Sequence, residues 1–545
     1  MNTSVTSRDA NGRALTVVLP GNRTVGTTYD LAGSIASVMP PGKTARAFTS
    51  NETNRLGLYA PPTIPQTPKD TGYVYDKDGL LLSVSNPGLP VSYAYDATNG
   101  RPTSMTHAVS VLFGYDTAGR RNTLATSDNV ATTLTYDGTR VTAEVTTGAW
   151  PVPHTLNRSY SHYGELASWS LDTGAADVAS FDRDGLMTSN RPVVVAAGTT
   201  GLVKTVTVGN IAETYGYNAN RELTSATASG VVGGYSVMYQ RDTLGRITKK
   251  TESIGGTTVV TGYGYDTAGR LWKVYANGST TPTSTVTYDA NGNRAGGIYD
   301  AQDRLTALGS TTYSYGPNGE LKTKTDASGT TTYTYDAHGN LRRVVPPAPG
   351  ATIDYVIDAQ NRRVAKLLGG NFVAGWVYDG PRIVAELGAS GGVVSRFYYA
   401  ANGHAPSAMV RGGVTYRILS DQLGSPRLVV HGTTGAVAQR IIYDACGNVT
   451  TDTSSGFQPF GFAAGLLDGS TALTRFGARD YDATSGRCTT KDITRFARSE
   501  NFYAYANNDL ANFIDPSGEA PIDPASVRRA IRCLTITPPG GTTPA

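Results

Sequence analysis

The chain has 545 residues, of which 39% are hydrophobic and 17% charged, and its net charge of +4 comes with no Lys/Arg run, which removes the case for a nucleic-acid partner. Six scattered histidines and three widely spaced cysteines (Cys446, Cys488, Cys533) fit neither a metal site nor a disulfide framework, so no metal and no cofactor are expected. No apolar run approaches the roughly 18 residues that cross a bilayer, so no membrane span is expected.

The opening MNTSVTSRDANGRALTVVLPGN lacks a basic segment followed by an apolar core, so a secreted or cell-surface destination would need a dedicated export machine; before export the protein would be cytoplasmic. Residues 1–70 read as degenerate repeats. From there to 415 one motif returns. It stands at Tyr75-Asp76-Lys77-Asp78-Gly79-Leu80, at Tyr95-Asp96, at Tyr115-Asp116-Thr117-Ala118-Gly119-Arg120 and at Tyr136-Asp137, about 20 residues apart. Later copies include Tyr265-Asp266-Thr267-Ala268-Gly269-Arg270-Leu271 and Tyr335-Asp336-Ala337-His338-Gly339-Asn340-Leu341.

Upstream of each Tyr the residues alternate, as in Thr332-Tyr333-Thr334-Tyr335, and period-two alternation of aromatic and β-branched residues predicts a strand. In the Asp-x-x-Gly that comes next, Asp can accept a backbone N–H and Gly tolerates positive φ, the chemistry of a type I turn with a bulge. One such hairpin is unstable alone, so the units are expected to stack side by side in one continuous curled antiparallel sheet. Gly79, Gly119, Gly269 and Gly339 are expected at positive φ, and some Tyr hydroxyls are expected to face a large wet cavity.

The Tyr-Asp-x-x-Gly-Arg-Leu unit resembles the RHS/YD repeat of bacterial RHS proteins, Tc insecticidal toxin complexes and teneurins, from about Tyr29 to Gly518. The resemblance implies an all-β chain whose YD repeats spiral into a hollow shell, complete or partial, around the polypeptide C-terminal to it, its own C-terminal segment being the cargo. It also points to a secretion-system carrier or a second shell-completing chain as partners.

Residues 416–518 resemble the RHS-associated core that closes such shells. The matching blocks are Asp421-Gln422-Leu423-Gly424-Ser425-Pro426-Arg427, Ala478-Arg479-Asp480-Tyr481-Asp482, Asn501-Phe502-Tyr503-Ala504-Tyr505 and Asp515-Pro516-Ser517-Gly518. In the family this core is an autocatalytic aspartyl protease, which assigns Arg479, Asp492 and Asp515 as catalytic and the bond between Glu519 and Ala520 as the cut. Paired carboxylates suit that chemistry, one activating water while the other protonates the scissile carbonyl, with Arg steadying charge.

Other readings stand beside this one. An Asp before Pro, or in an Asp-x-x-Gly turn, is ordinarily a turn former, and Arg479 could instead pair with Asp480 or Asp482. A Cys488 nucleophile lacks a partner, because no His occurs after His431. The chain departs from the family pattern at Ile493, where Pro is usual, at Cys488, at Asp509 and at Glu519, where Leu is usual. Residues 519–545 are too short for an enzyme domain, and their one helix candidate starts at Asp523-Pro524 and runs to about Leu534. Three functions therefore compete: a toxin shell that releases a short or lost cargo by self-cleavage, a surface YD-repeat protein with an inert core that binds carbohydrate or cell wall, and a degenerate shell fragment with no cargo.

Overall fold

The computed structural model describes residues 3–65, 70–400, 403–497 and 499–524. The described residues form a 27-stranded sheet from Ser4–Arg8 to Ser284–Thr285, a 16-stranded sheet from Gly297–Tyr299 to Val449–Asp452, and a 4-stranded sheet from Leu466–Asp468 to Arg487–Cys488. Pairing runs antiparallel from each strand to the next, as where Thr257–Tyr265 meets Leu271–Ala276 and Gly329–Tyr335 meets Leu341–Val345. Among the described residues helix is confined to three-residue 3₁₀ turns and to Pro524, and no helix there is long and apolar enough to cross a membrane. The tail helix candidate lies, past Pro524, outside the described residues.

One repeat shows why the motif holds its shape. In the turn after Tyr265, Gly269 N–H donates to the Asp266 carbonyl at 3.0 Å and Asp266 N–H to that of Arg270 at 3.0 Å. Asp266 Oδ1 accepts the N–H groups of Ala268 and Arg270, both at 2.9 Å, while Arg270 Nε donates to Asp266 Oδ2 at 2.7 Å. The register slips by one residue at Tyr265, the bulge such a turn requires. Gly79, Gly119, Gly269 and Gly339 have φ of +83°, +78°, +85° and +79°, a region that strains residues with a Cβ.

Neighbouring units are keyed together by the same residues. The Tyr288 hydroxyl donates to the Leu271 carbonyl at 2.8 Å, and Arg270 lies 4.7 Å from the centre of the Tyr288 ring. Tyr265 reaches Ile247 at 2.5 Å under Arg246 in the same way, and Tyr378 reaches Arg363 at 2.9 Å under Arg362. Arg thus closes its own turn and caps the next Tyr. In these units the hydroxyl satisfies a backbone carbonyl of the preceding unit, because a half-buried ring needs a partner for its O–H.

The expectation of one continuous sheet needs correction. Between the first two sheets, Asp289 to Gly297 packs two turns into so few residues that only a single bridge, Tyr288 to Arg294, fits. The second sheet lies against the first with partners 175 to 257 residues apart in sequence. Arg46 meets Asp303 at 3.0 Å, Arg158 meets Asp379 at 2.7 Å, Arg427 meets Glu252 at 2.6 Å, and Arg417 pairs with Glu213. A shared apolar layer joins the sheets, with Leu156, Trp169 and Val206 packed among Ala365, Val384 and Leu387. Buried ion pairs gain little net free energy, since desolvation offsets the attraction, but a mispaired charge there costs several kcal/mol, so they fix the register of the turns. The result is an open spiral. Its first strand, Ser4–Arg8, pairs with Ala14–Leu19 and is exposed along its length.

Candidate active site

The third sheet is almost wholly buried, as is most of 501–511, while the loops around Thr494 and Glu519 are half-buried. Arg479 begins the strand Arg479–Asp482, held between Leu473–Phe476 and Arg487–Cys488. Strand alternation sends Arg479 to one face and Asp480 and Asp482 to the other. Asp480 is taken by Arg363 at 2.8 Å and Arg475 at 3.0 Å, and Asp482 lies 3.7 Å from Lys324. Arg479 turns instead to Asp515, with Nη2 2.8 Å from Oδ2, and to Asp492, with the same Nη2 3.3 Å from Oδ2. The two carboxylate oxygens are therefore no farther apart than these two contacts laid end to end.

Loop geometry places both aspartates. Asp492 N–H donates to the Phe502 carbonyl at 2.8 Å, and Arg479 Nη1 donates to that same carbonyl at 3.2 Å. The Asp515 turn docks where two glycines let backbones touch. A Cβ on Gly477 would meet the Ser517 carbonyl oxygen at 2.1 Å, and one on Gly518 would meet the Phe476 carbonyl oxygen at 2.3 Å. Ala478 N–H donates across this contact to Ser517 at 2.8 Å.

The Glu519–Ala520 peptide lies in the site. Asp515 Oδ1 accepts the N–H groups of Glu519 and Ala520, each at 3.0 Å, and the Ser517 hydroxyl at 3.2 Å. The chain then folds back, exchanging backbone hydrogen bonds between Ile514 and Ile522 at 3.1 and 2.8 Å. Asp523 and Pro524 line a small cavity with Leu202 and Tyr217 of the first sheet and Gln422 of the second.

Burial would lower the Arg479 pKa, but Cys488, Asp492 and Asp515 hold it above the ordinary value. Burial pushes the Cys488 thiol up to about 11 despite Arg479, so it is protonated at neutral pH and a poor nucleophile. Burial, then Asp492 and Asp515, raise the Glu519 carboxyl above the usual range. Asp509, buried under the Asn512 amide, is pushed up to about 7 by that burial. No His, Cys, Asp and Glu cluster suited to a metal occurs among the described residues.

The sequence reading missed Thr494. Its hydroxyl donates to Asp492 Oδ1 at 2.6 Å and lies 3.5 Å from the Glu519 carbonyl oxygen. Its one signal was a hydroxyl two residues after Asp492, weak in a chain so rich in Thr.

The family model described as Teneurin YD-shell matches residues 7–511. Mouse teneurin-3 is 33% identical over 305 residues, 51% of this chain and 11% of the teneurin. Double-stranded DNA deaminase toxin A of Burkholderia cenocepacia is 26% identical over 569 residues, 94% of this chain and 37% of the toxin. Among solved structures, the Photorhabdus luminescens Tc holotoxin pore aligns with a TM-score of 0.59 at 14% identity, covering 94% of this chain and 28% of that one. The TcdB2-TccC3-Cdc42 structure aligns at 0.54 and 12% identity, covering 96% and 28%. These structural likenesses speak to the fold. The chain spans about a tenth of the teneurin's length and little more than a third of the toxin's.

Proposed function

The chain belongs to the teneurin YD-shell family, and from that premise we propose that it is a toxin-type shell that encloses the polypeptide C-terminal to its core and releases it by aspartyl self-cleavage between Glu519 and Ala520. One observation carries this reading. The Ala520 nitrogen rests on Asp515 Oδ1 at 3.0 Å, while Asp515 and Asp492 share Arg479. Enzyme and substrate are one chain, so the bond is held at the carboxylates with no encounter step. Water adds to the Glu519 carbonyl carbon with one aspartate as base and the other as acid. Arg479 keeps both carboxylates in place and balances their charge in a buried site.

Pro524 is buried and lines, with residues of both sheets, a small cavity, which supports an enclosed path for the segment after the core. In this reading the protein reaches the cell surface or exterior through a dedicated machine, and a carrier or a second chain completes the open spiral. The departure Glu519 favours one alternative, a surface-bound YD-repeat protein with an inert core that contacts carbohydrate. Peptide mapping separates the two. Self-cleavage yields a new N-terminus at Ala520 that Asp515→Asn does not produce, whereas the inert core yields none in either protein.

A further inference from the structure

Resting on the self-cleavage reading, we infer that Thr494 is a catalytic residue, its hydroxyl carrying the acid function of Asp492 to the Glu519 carbonyl oxygen. Among the described residues, the Thr494 hydroxyl is the polar side-chain group at that oxygen, 3.5 Å away. The Asp492 oxygens are engaged by other groups: its Oδ2 faces Arg479 at 3.3 Å, and its Oδ1 is held by the Thr494 N–H at 2.8 Å and the Thr494 hydroxyl at 2.6 Å. Asp515 is surrounded by donors, from Arg479 on one oxygen and from Ser517, Glu519 and Ala520 on the other, so its oxygens serve as acceptors. The two aspartates are thereby given different duties by their neighbours.

A threonine hydroxyl has one hydrogen. With Asp492 ionised, that hydrogen rests on Asp492 Oδ1. With Asp492 protonated, the direction reverses: Asp492 donates to Thr494 Oγ1, and the Thr494 hydrogen is free for the Glu519 oxygen. Water then adds to the Glu519 carbon and gives a proton to Asp515. The carbonyl oxygen takes the Thr494 proton, and Thr494 takes that of Asp492. On collapse the C–N bond breaks, Asp515 returns its proton to the Ala520 nitrogen, and the extra hydroxyl proton goes back through Thr494 to Asp492. The net change is one water consumed, one carboxyl formed at Glu519 and one amine at Ala520.

The test tracks the intact mass of the full chain with time after purification, for the parent, Thr494→Val, Thr494→Ser, and Asp492→Asn with and without Thr494→Val. Loss of the relay should slow Thr494→Val about 100-fold, within the range for general acid catalysis. Thr494→Ser should recover the rate to within a few-fold, and Thr494→Val should add no further loss to Asp492→Asn. A thermal melt matching the parent shows that the Val variant is folded, and Thr494→Ala takes its place if it is not. Parent-like cleavage by folded Thr494→Val, or no recovery by Thr494→Ser, overturns the relay while leaving self-cleavage intact. A parent chain that never cleaves overturns both.

Discussion

The turn at Asp266 in the repeat sheet and the turn at Asp515 in the C-terminal unit share two backbone contacts and differ in their other partners: Asp266 N–H donates to the Arg270 carbonyl at 3.0 Å, Asp515 N–H to the Tyr505 hydroxyl at 3.4 Å. In each, Oδ1 of the Asp accepts the N–H of the residue four positions on, Arg270 at 2.9 Å and Glu519 at 3.0 Å. In each, the glycine N–H returns to the Asp carbonyl, at 3.0 and 3.2 Å, and the glycine sits at positive φ. In the repeat, the residue four positions on is Arg, which closes on Oδ2 and neutralises the carboxylate locally. At Asp515 that position holds Glu519, which cannot. Oδ2 is left to Arg479, 36 residues away in sequence, and Arg479 also holds Asp492. A structural turn becomes a candidate active site when its local cation is replaced by a distant one that a second carboxylate shares.

The largest contrast should appear when the two carboxylates are neutralised. Asp515→Asn and Asp492→Asn are each expected to slow self-cleavage at least 100-fold, as loss of a general acid or base does. Asp266→Asn should leave it unchanged, and intact mass after incubation reads all three. Next in size is the register of the spiral. Glu213→Ala strands Arg417, only 2% exposed, without its carboxylate, and should cost about 3–5 kcal/mol in chemical denaturation. Removing one half of an exposed surface pair such as Arg343–Asp354 should cost under about 1 kcal/mol.

Glycine substitutions sharpen the comparison further. Gly477→Ala drives a Cβ into the Ser517 carbonyl, a backbone atom with little room to move, and should cost about 1–3 kcal/mol in stability and slow cleavage as Asp515 shifts. A Cβ on Gly339 meets nothing closer than Thr490 at 3.9 Å, so Gly339→Ala should cost only the φ strain, about 1 kcal/mol, with cleavage untouched. The smallest effect concerns pH. Burial and the two aspartates raise the Glu519 pKa, so the folded site favours neutral Glu519, and its contribution is full at low pH and lost as pH rises through that raised value. The cleavage rate of Glu519→Gln relative to the parent should therefore be greatest near neutral pH and fall towards one on acidification.

How much the sequence disclosed depends on the range of the interactions. Hairpins, turns and positive-φ glycines were legible because Asp, Gly and Arg act within five residues and repeat. The Arg-on-Tyr ladder was not legible, since the carbonyl each Tyr hydroxyl reaches, Leu271 for Tyr288 and Ile247 for Tyr265, belongs to the preceding unit. The seam pairs Arg417–Glu213 and Arg427–Glu252 were not legible, because single charges some 200 residues apart carry no period. Arg479, Asp492 and Asp515 came from family resemblance; as isolated residues they are indistinguishable from the turn formers around them. Thr494 could be found only once the fold brought residue 494 against residue 519.

The most direct measurement is the intact mass of the purified 545-residue chain, monitored over days at neutral and mildly acidic pH. The account predicts conversion into two species, residues 1–519 and residues 520–545, with the conversion absent in Asp515→Asn. A chain that holds its full mass at both pH values would contradict it.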